Sequence, residues 1–170
     1  MNTLINDVEK LLSRQLYGIL ATSGETHPHM NLIAFCALEN LKTVIFFSPE
    51  NSEKIDNIKR SPGIALFADN RTNTREDITT VTSVTIYGNA AIPGESEKTA
   101  EWINRYTAKL PHMKNFASLE TNILVKVDID TIHVVRDLFE VTVSIRQNNA
   151  KSHPAWKYQQ VWLYTRLFQL

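Results

Sequence analysis

The chain has 170 residues, of which 43% are hydrophobic and 21% are charged, a composition typical of one globular domain with its own core. Its 18 Lys and Arg residues balance 18 Asp and Glu residues, so neither nucleic acid nor an anionic membrane surface is expected as a partner. The single cysteine excludes an internal disulfide framework and fits a reducing compartment. We find no secretory signal pattern and no run of about 18 successive apolar residues. We therefore expect a cytoplasmic protein without a membrane-spanning helix.

Hydrophobic periodicity divides the first half of the chain into one helix and a series of short strands. Apolar residues recur at helical spacing over residues 3–15, which predicts an amphipathic helix that packs on another element. Runs rich in Val, Ile, Thr and Phe, bounded by turn residues, predict the strands. The predicted strands cover residues 18–22, 29–38, 42–47 and 63–68. Residues 23–25 and 39–40 are predicted turns, and the polar stretch 69–77 is a predicted loop.

The second half of the chain alternates between the same two patterns. The predicted strands cover residues 80–92, 122–130 and 138–146, with an extension of the second over 132–135 after a kink. A helix is predicted over residues 95–109 and a loop over 111–116. In the tail, residues 148–170, one set of aromatic residues suits a helix and another suits a strand. Because exposed aromatic side chains are a liability, we expect the tail to pack on the rest of the fold or on a partner chain.

This pattern of elements favours one fold class. About seven strands joined by short turns, with helices at the start and in one long insertion, are typical of an α+β protein. We therefore expect a mostly antiparallel sheet of six to seven strands that closes into a β-barrel with flanking helices. The barrel domain is expected to span residues 1–147, followed by the tail at 148–170.

A strand, a turn and a helix start follow one another between residues 41 and 60. Ser48 ends the strand, and Ser52 and Lys54 fall at the start of a polar helical segment. The first N–H groups of a helix lack intrahelical partners and lie at the positive end of its dipole. Together with hydroxyl and ammonium groups they form an anion site, for which we expect a cofactor phosphate. In the alternative interpretation, Asn51 or Ser52 only caps the helix and Lys54 is a solvated surface charge.

Other motifs give little support for metal or hydrolytic chemistry. The five histidines are scattered, and the sequence contains neither HxxxH nor CxxC. No Ser, His and Asp residues have a recognisable catalytic spacing, and the glycines from Gly88 to Gly94 lack the spacing of a dinucleotide-binding fold. We therefore predict no metal site, and we interpret Cys36 as a buried core residue.

Three segments resemble a known family. They read GILATSGETHPHMNLIAF, VIFFSPENSEKIDNIKRSPGIALF and VTSVTIYGNA, and they are similar to the FMN-binding split-barrel family, which includes pyridoxamine 5′-phosphate oxidase and many small flavin proteins. The likeness spans roughly residues 11–92. It implies a split barrel, with two chains forming a homodimer and each FMN in a cleft between them.

The resemblance also implies roles for individual residues. Ser48, Ser52 and Lys54 would hold the phosphate, and Phe47 would lie beside the ribityl chain. Residues on the second strand would lie against the isoalloxazine ring, namely His29, Met30, Asn31, Leu32 and Ile33. The Asn31 amide offers both a donor and an acceptor there. By the same likeness, Ser83 would face the polar edge of the ring.

The sequence departs from the oxidase pattern around the phosphate. Glu53 stands where the oxidases usually have an Arg beside the lysine, and His29 and Ala34 replace cationic strand residues. Asn70 and Arg71 are candidates to complete the clamp, because Arg presents a planar fork of donors to phosphate. The alternative is that Arg71 pairs with acidic residues of its own solvated loop.

The departures also bear on the reaction. The tail does not align with the C-terminal Arg and His residues with which the oxidases bind the substrate phosphate. We therefore expect an FMN-dependent oxidoreductase that acts on a small aromatic or quinone-like compound rather than on pyridoxamine phosphate. One alternative is a non-catalytic FMN electron carrier or sensor. The other is a split barrel that binds haem or a deazaflavin in the same cleft, with His29 or His133 as the haem ligand.

Overall fold

The computed structural model describes residues 2–38, 41–136, 140–147 and 156–161. The strands are β1 (Tyr17–Ser23), β2 (Pro28–Ala37), β3 (Thr43–Pro49), β4 (Gly63–Asp69), β5 (Thr82–Ala91), β6 (Asn122–Arg136), β7 (Glu140–Gln147) and β8 (Trp156–Val161). The helices are α1 (Asn2–Arg14), α2 (Glu53–Arg60), α3 (Asp77–Thr80), α4 (Glu97–Lys109) and α5 (Lys114–Ala117), with a 3₁₀ turn at Pro111–Met113. No helix in the described ranges is long and apolar enough to cross a membrane.

Six of the described strands close into an antiparallel barrel. They follow the order β3-β2-β1-β4-β5-β6, and β6 pairs back with β3. The first half of β6 pairs with β3 up to Asp128, and its second half, from Thr131 onward, pairs with β7 instead. β7 and β8 therefore extend the sheet beyond the barrel. The expected α+β fold, a mostly antiparallel split barrel with flanking helices, is confirmed.

The barrel interior is filled by alternate side chains of its strands and by residues from two helices. Helix α1 contributes Val8, Leu11 and Leu12 to this core, and α2 contributes Ile55 and Ile58. Since strand residues two apart point to the same face, the inner residues of β1 and β4 are the buried ones while their neighbours are more exposed. Because Ile55 and Ile58 are buried, α2 is fixed against the barrel.

A second cluster covers the outside of β3. Ile45 and Phe47 point outward and pack beneath α4, where Trp102, Tyr106 and Leu110 join them. The rings of Phe47 and Tyr106 lie 5.1 Å apart between centroids. Strand β3 is therefore buried on both faces, which explains why its sequence reads as an unbroken apolar run.

Lys109, at the end of α4, ties three elements together. Its Nζ donates to the carbonyl oxygens of Leu12 at 2.8 Å and Phe35 at 3.0 Å. It also lies 4.4 Å from the centre of the Phe35 ring. Burial lowers the pKa of Lys109 below its ordinary value. These contacts hold α4 against both α1 and β2.

The structure corrects the predicted elements in two places. Residues 111–116 are not a loop, since they form the 3₁₀ turn and the start of α5. Pro111 is preset for the first turn of a helix, and Asn122 Nδ2 donates to the Phe116 carbonyl at the far end. The predicted loop at 69–77 runs into α3, because the Asp77 carboxylate accepts from the N–H groups of Thr72 and Thr74. The strand that follows starts at Thr82 instead of residue 80.

Two other predictions fall wholly or partly on residues that the structure does not describe. The predicted turn at 39–40 lies outside the described residues, as does most of the tail. Within the tail, Trp156–Val161 is a strand that pairs with β7, so the helix alternative is wrong for these residues. Apart from Val161, the residues on which the strand alternative rested lie outside the described ranges.

The predicted kink after residue 130 is a β-bulge. Tyr87 pairs with Thr131 and Gly88 with Ile129, which leaves Asp130 as an extra residue in β6. A Cβ on Gly88 would come within 2.3 Å of the Asp128 carbonyl oxygen, so the two strands approach closely only because this residue is glycine.

Replacement of Gly88 by alanine therefore tests the packing at the bulge. We expect Gly88→Ala to lower the free energy of unfolding by about 1–3 kcal/mol, because the new methyl group forces the β5 and β6 backbones apart. Gly63→Ala is the matched control, since a Cβ there meets no atom within 4 Å; its effect should stay within about 0.5 kcal/mol. Urea denaturation measures both, and equal effects would contradict the assigned close approach.

Candidate functional site

A gap opens between β2 and β3 along one edge of β2. Strand β2 pairs with β1 from Pro28 through Ala34, but it pairs with β3 only across the next three residues, Phe35 to Ala37. Over residues 28–34, the edge of β2 on this side faces no other strand in the described part of the chain. We call this gap, between residues 28–34 of β2 and 47–49 of β3, the β2–β3 cleft. Its free backbone N–H and C=O groups are available to a ligand.

Three polar side chains meet where β3 ends and α2 begins. The Ser48 and Ser52 hydroxyl oxygens lie 2.9 Å apart, and Lys54 Nζ donates to the Ser48 hydroxyl at 3.3 Å. Ser48 is 1% exposed, so its hydroxyl is held in place by the fold. The structure therefore brings Ser48, Ser52 and Lys54 together, as the sequence predicted. We call them the Ser48–Ser52–Lys54 cluster.

Ser52 begins α2 without using its hydroxyl to cap the helix. Its backbone is extended, with φ −92° and ψ 148°, and its side chain accepts no hydrogen bond from the first turn. Its carbonyl oxygen accepts from the N–H groups of Ile55 and Asp56. The capping alternative is thus wrong for Ser52. The earliest N–H groups of the helix have no intrahelical acceptor and lie at the positive end of its dipole.

Lys54 is partly withdrawn from water. Burial lowers the pKa of its ammonium group below the ordinary value, because the charged form loses part of its hydration. Lys54 is therefore half-buried, and its Nζ also donates to the Ser48 hydroxyl, so it is not a fully solvated surface lysine. An anion placed beside Lys54 and the two hydroxyls would compensate the charge, which makes the cluster a suitable anion site.

A carboxylate at the start of α2 pairs with an imidazole on β2. Glu53 is the first residue of α2, and its Oε1 lies 3.0 Å from His29 Nδ1 on β2. Their side chains are 64% and 27% exposed, respectively. Sequence analysis identified both residues as departures from the oxidase pattern but did not predict that they pair.

A buried hydrogen-bond network fixes α2 against the β1–β2 hairpin. Asn57 Nδ2 donates to Thr22 Oγ1 at 3.1 Å, and Thr22 Oγ1 lies 3.4 Å from the carbonyl oxygen of His29, to which it donates. Arg60 donates to Asn57 Oδ1 at 2.6 Å and to Glu25 Oε1 at 3.2 Å. Sequence reasoning assigned no role to Thr22 or Asn57, because a single polar residue beside an apolar stripe gives no periodic signal of burial.

The remaining residues predicted on β2 and β3 have different environments. Ile33 is in the barrel core, and Phe47 packs under α4, so only the backbone of Phe47 borders the cleft. Met30 and Leu32 point outward and are 62% and 72% exposed. Asn31 Oδ1 is buried and has no hydrogen-bond partner among the described residues. A buried acceptor without a donor is costly, so Asn31 favours a ligand that supplies one.

Asn70, Arg71 and Ser83 lie apart from the cluster within one chain. Arg71 Nε is 3.3 Å from Asp69 Oδ1, as in the alternative that pairs it within its own loop. Asn70 Oδ1 accepts from Thr82 N–H, and Ser83 pairs with Asp69 across β4 and β5. On β1, Thr22 pairs with His29 of β2 on one side and with Ile64 of β4 on the other. Asp69 is five residues further along β4, or about 17 Å at the usual rise of a strand.

The outward face of β1, β2 and β5 carries large apolar side chains without cover from the described helices. Tyr17 and Tyr87 are 55% and 41% exposed, alongside the exposed Met30 and Leu32. His133 of β6 adjoins this face, with its ring 5.0 Å from that of Tyr87 between centroids. We call this surface the outer apolar face. Several exposed apolar side chains on one face of a sheet are typical of an interaction site.

Two further observations restrict what the site binds and where it lies. Within the described ranges, no group of three or more His, Cys, Asp or Glu residues could hold a metal ion. An open groove of about 690 Å³ lies between the β1–β2 hairpin and the bulge at Gly88, but it contains none of Ser48, Ser52 and Lys54. We place the site in the β2–β3 cleft, because free backbone groups and convergent polar side chains meet there.

Comparisons with known proteins agree with this geometry. The sequence profile described as "Pyridoxamine 5'-phosphate oxidase" matches residues 4–136, and no curated protein sequence matches. A putative pyridoxamine 5′-phosphate oxidase from Listeria innocua aligns with a TM-score of 0.59 and 16% identity, over 78% of this chain and 98% of that one.

Two other solved structures have the same fold. A haem-binding protein from Mycobacterium smegmatis aligns with a TM-score of 0.72 and 14% identity, over 82% of this chain and 56% of that one. A FAD-binding protein from Mesorhizobium loti aligns with a TM-score of 0.61 and 14% identity, over 76% and 91% of the two chains. At these identities the likeness shows the fold alone. The match of the family profile over most of the sequence shows that the chain belongs to the pyridoxamine 5′-phosphate oxidase family of split barrels.

Proposed function

We propose that the β2–β3 cleft binds FMN and that the protein is an FMN-dependent oxidoreductase of the cytoplasm. The observation that carries this proposal is the Ser48–Ser52–Lys54 cluster at the start of α2. Two hydroxyls, one partly buried ammonium group and the free N–H groups of a helix start together fit a phosphate. Because Ser48 is buried and α2 is anchored by Asn57, these donors are positioned before any ligand arrives.

The edge of β2 suits the ring of a flavin. Its free backbone groups and the unpartnered Asn31 Oδ1 can bond the polar edge of an isoalloxazine. Met30 and Leu32 offer exposed apolar surface beside it, which limits access of water once covered. A bound flavin supplies the transfer of a hydride or of electrons, while the protein binds it, orients it and controls access.

A small aromatic or quinone-like substrate fits the site better than pyridoxamine phosphate. The described part of the cleft carries one ammonium group, Lys54, and that group is assigned to the cofactor. A second phosphate would need its own cations, whereas a neutral ring needs only an apolar wall. A non-catalytic electron carrier or sensor would use the same residues. Turnover with a panel of quinones separates the two, since a carrier would show none.

A homodimer would complete the site. The outer apolar face needs a cover, and a second copy of the chain provides one of matching chemistry. Asn70, Arg71 and Ser83 do not reach the Ser48–Ser52–Lys54 cluster of their own chain, but the same residues of a second copy are free to approach its cleft. This arrangement keeps their predicted role in FMN binding and assigns it to the opposite subunit.

Haem is the second candidate ligand, and one observation favours it. A structural neighbour is described as a haem-binding protein, and His133 lies beside Tyr87 on the outer apolar face, where a haem plane would find apolar contact and an axial ligand. His29 is the other ligand candidate, since Glu53 holds its Nδ1 and leaves Nε2 for a metal. A deazaflavin would occupy the cleft much as FMN does and would be recognised by its blue fluorescence.

Removal of the cluster tests the phosphate assignment. The double variant Ser52→Ala, Lys54→Ala should lose two charge-assisted contacts to the phosphate, about 2–5 kcal/mol, or an increase in the FMN Kd of about 30-fold to 5,000-fold. Quenching of flavin fluorescence during titration measures the Kd. Riboflavin, which lacks the phosphate, should bind both proteins equally.

The matched control for that variant is Lys59→Ala. Lys59 lies on the same helix but is exposed and pairs with Glu50 at 3.8 Å, so its loss should leave the FMN Kd within about twofold. An FMN affinity of the double variant equal to that of the wild type would refute the phosphate assignment.

A charge on the outer apolar face tests the dimer. Tyr17→Asp should yield a monomer in sedimentation equilibrium and release FMN, because a carboxylate at the interface would lose its hydration. Leu119→Asp is the control, since Leu119 is also exposed, at 52%, but follows α5 instead of lying on the outer apolar face. A Tyr17→Asp protein that remains dimeric, or a monomer that retains FMN with wild-type affinity, would contradict the shared site.

A further inference from the structure

The pair formed by Glu53 and His29 puts a titratable charge next to the phosphate donors. Glu53 directly precedes Lys54 in α2, and its Oε1 lies 3.0 Å from His29 Nδ1. A carboxylate in the first turn stabilises the helix dipole but repels an anion that binds at the same N–H groups. Glu53 therefore competes with a phosphate for the helix start unless its charge is compensated.

The charge that the site presents depends on His29. With a neutral imidazole, Lys54 and Glu53 contribute +1 and −1, which sum to zero. With a protonated imidazole the three side chains sum to +1. A phosphate monoester carries about −1.5 to −2 at pH 7, so the protonated state of these three side chains attracts it more strongly than the neutral state does. Histidine is the side chain whose charge ordinarily changes between pH 5 and 8.

Other charged side chains near the cluster do not change the charge of the site in the way that His29 does. The Arg60 guanidinium is paired with Glu25 at 3.2 Å, and the Lys59 ammonium is paired with Glu50 at 3.8 Å. The other titratable groups on the adjoining hairpin and helix are the exposed His27 and Asp56, with Tyr17 and Cys36 at the opposite end of the hairpin. Among these groups, Glu53 and His29 form the pair that joins α2 to β2 at the cluster.

We infer that Glu53 and His29 set the charge of phosphate that the cluster accepts, so that affinity for FMN rises when His29 is protonated. The inference rests on the proposed function and adds its regulation. Glu53 acts as a determinant of specificity that disfavours the dianion, and His29 relieves that effect as the pH falls. The free phosphate works in the opposite sense, because protonation below pH 6 lowers its own charge. The effect of Glu53 is therefore the difference in FMN affinity between two proteins at the same pH, since the charge of free FMN is then the same for both.

The test titrates FMN and riboflavin into wild type, Glu53→Gln and His29→Gln between pH 5.5 and 8.5. At pH 8, Glu53→Gln should bind FMN about fivefold more tightly than wild type, the size expected for one partly exposed charge. The gap should close by pH 5.5, where His29 compensates Glu53 in the wild type. The FMN affinity of each protein is divided by its riboflavin affinity, because His29 lies on the strand assigned to the ring and its replacement can change ring binding. This ratio should be lower for His29→Gln than for wild type at pH 5.5 and equal to that of wild type at pH 8.

The outcomes separate this inference from the function beneath it. Parallel FMN curves for wild type and Glu53→Gln across the pH range would overturn the inference, while FMN binding that exceeds riboflavin binding would leave the phosphate site standing. Equal affinity of the wild type for FMN and riboflavin at every pH would overturn both. Thermal unfolding of each variant at each pH confirms that a change in affinity does not reflect loss of the fold.

Discussion

Closure of the barrel between β3 and β6 is the constraint on which the site depends. β3 pairs with β6 over its whole length, from Thr43 to Pro49, and with β2 over three residues only. The chain at Ser48 is thus drawn away from β2, and the edge of β2 is left open. Helix α2 is held against the barrel, because its residues Ile55 and Ile58 are buried in the barrel core. One choice of strand pairing therefore creates both the cleft and the helix start beside it.

The charges at that helix start are mixed, which separates this chain from a simple phosphate clamp. Lys54 supplies a partly buried ammonium group, whereas Glu53 supplies a carboxylate in contact with His29. Coulomb interactions near a protein surface are worth about a few kcal/mol at most, so one acid and one base of this kind nearly cancel. In the proposed phosphate site, the hydroxyls and the backbone N–H groups would then supply much of the binding free energy.

Much of the fold was predictable because strands and turns leave strong local signals. The alternation of buried and exposed residues in β1 and β4, the end of β3 at Ser48-Pro49 and the helical stripe of α2 all follow from residue type and spacing. The helical segment at 111–117 was not predicted, because a proline followed by polar residues is equally typical of a loop when the packing of the side chains is not known. The Ser48–Ser52–Lys54 cluster is local in sequence and was predicted. The His29–Glu53 pair and the Asn57–Thr22 bond join distant segments, so only the pairing of β1, β2 and α2 in space reveals them.

The central claim is that the cleft holds a flavin phosphate, and an absorbance spectrum from 300 to 600 nm tests it most directly. The purified protein is recorded before and after addition of FMN, with free flavin removed by gel filtration. Flavin bands at about 375 and 450 nm should stay with the protein. A protein that remains colourless after FMN addition, or that retains an intense Soret band of haem instead, would contradict it.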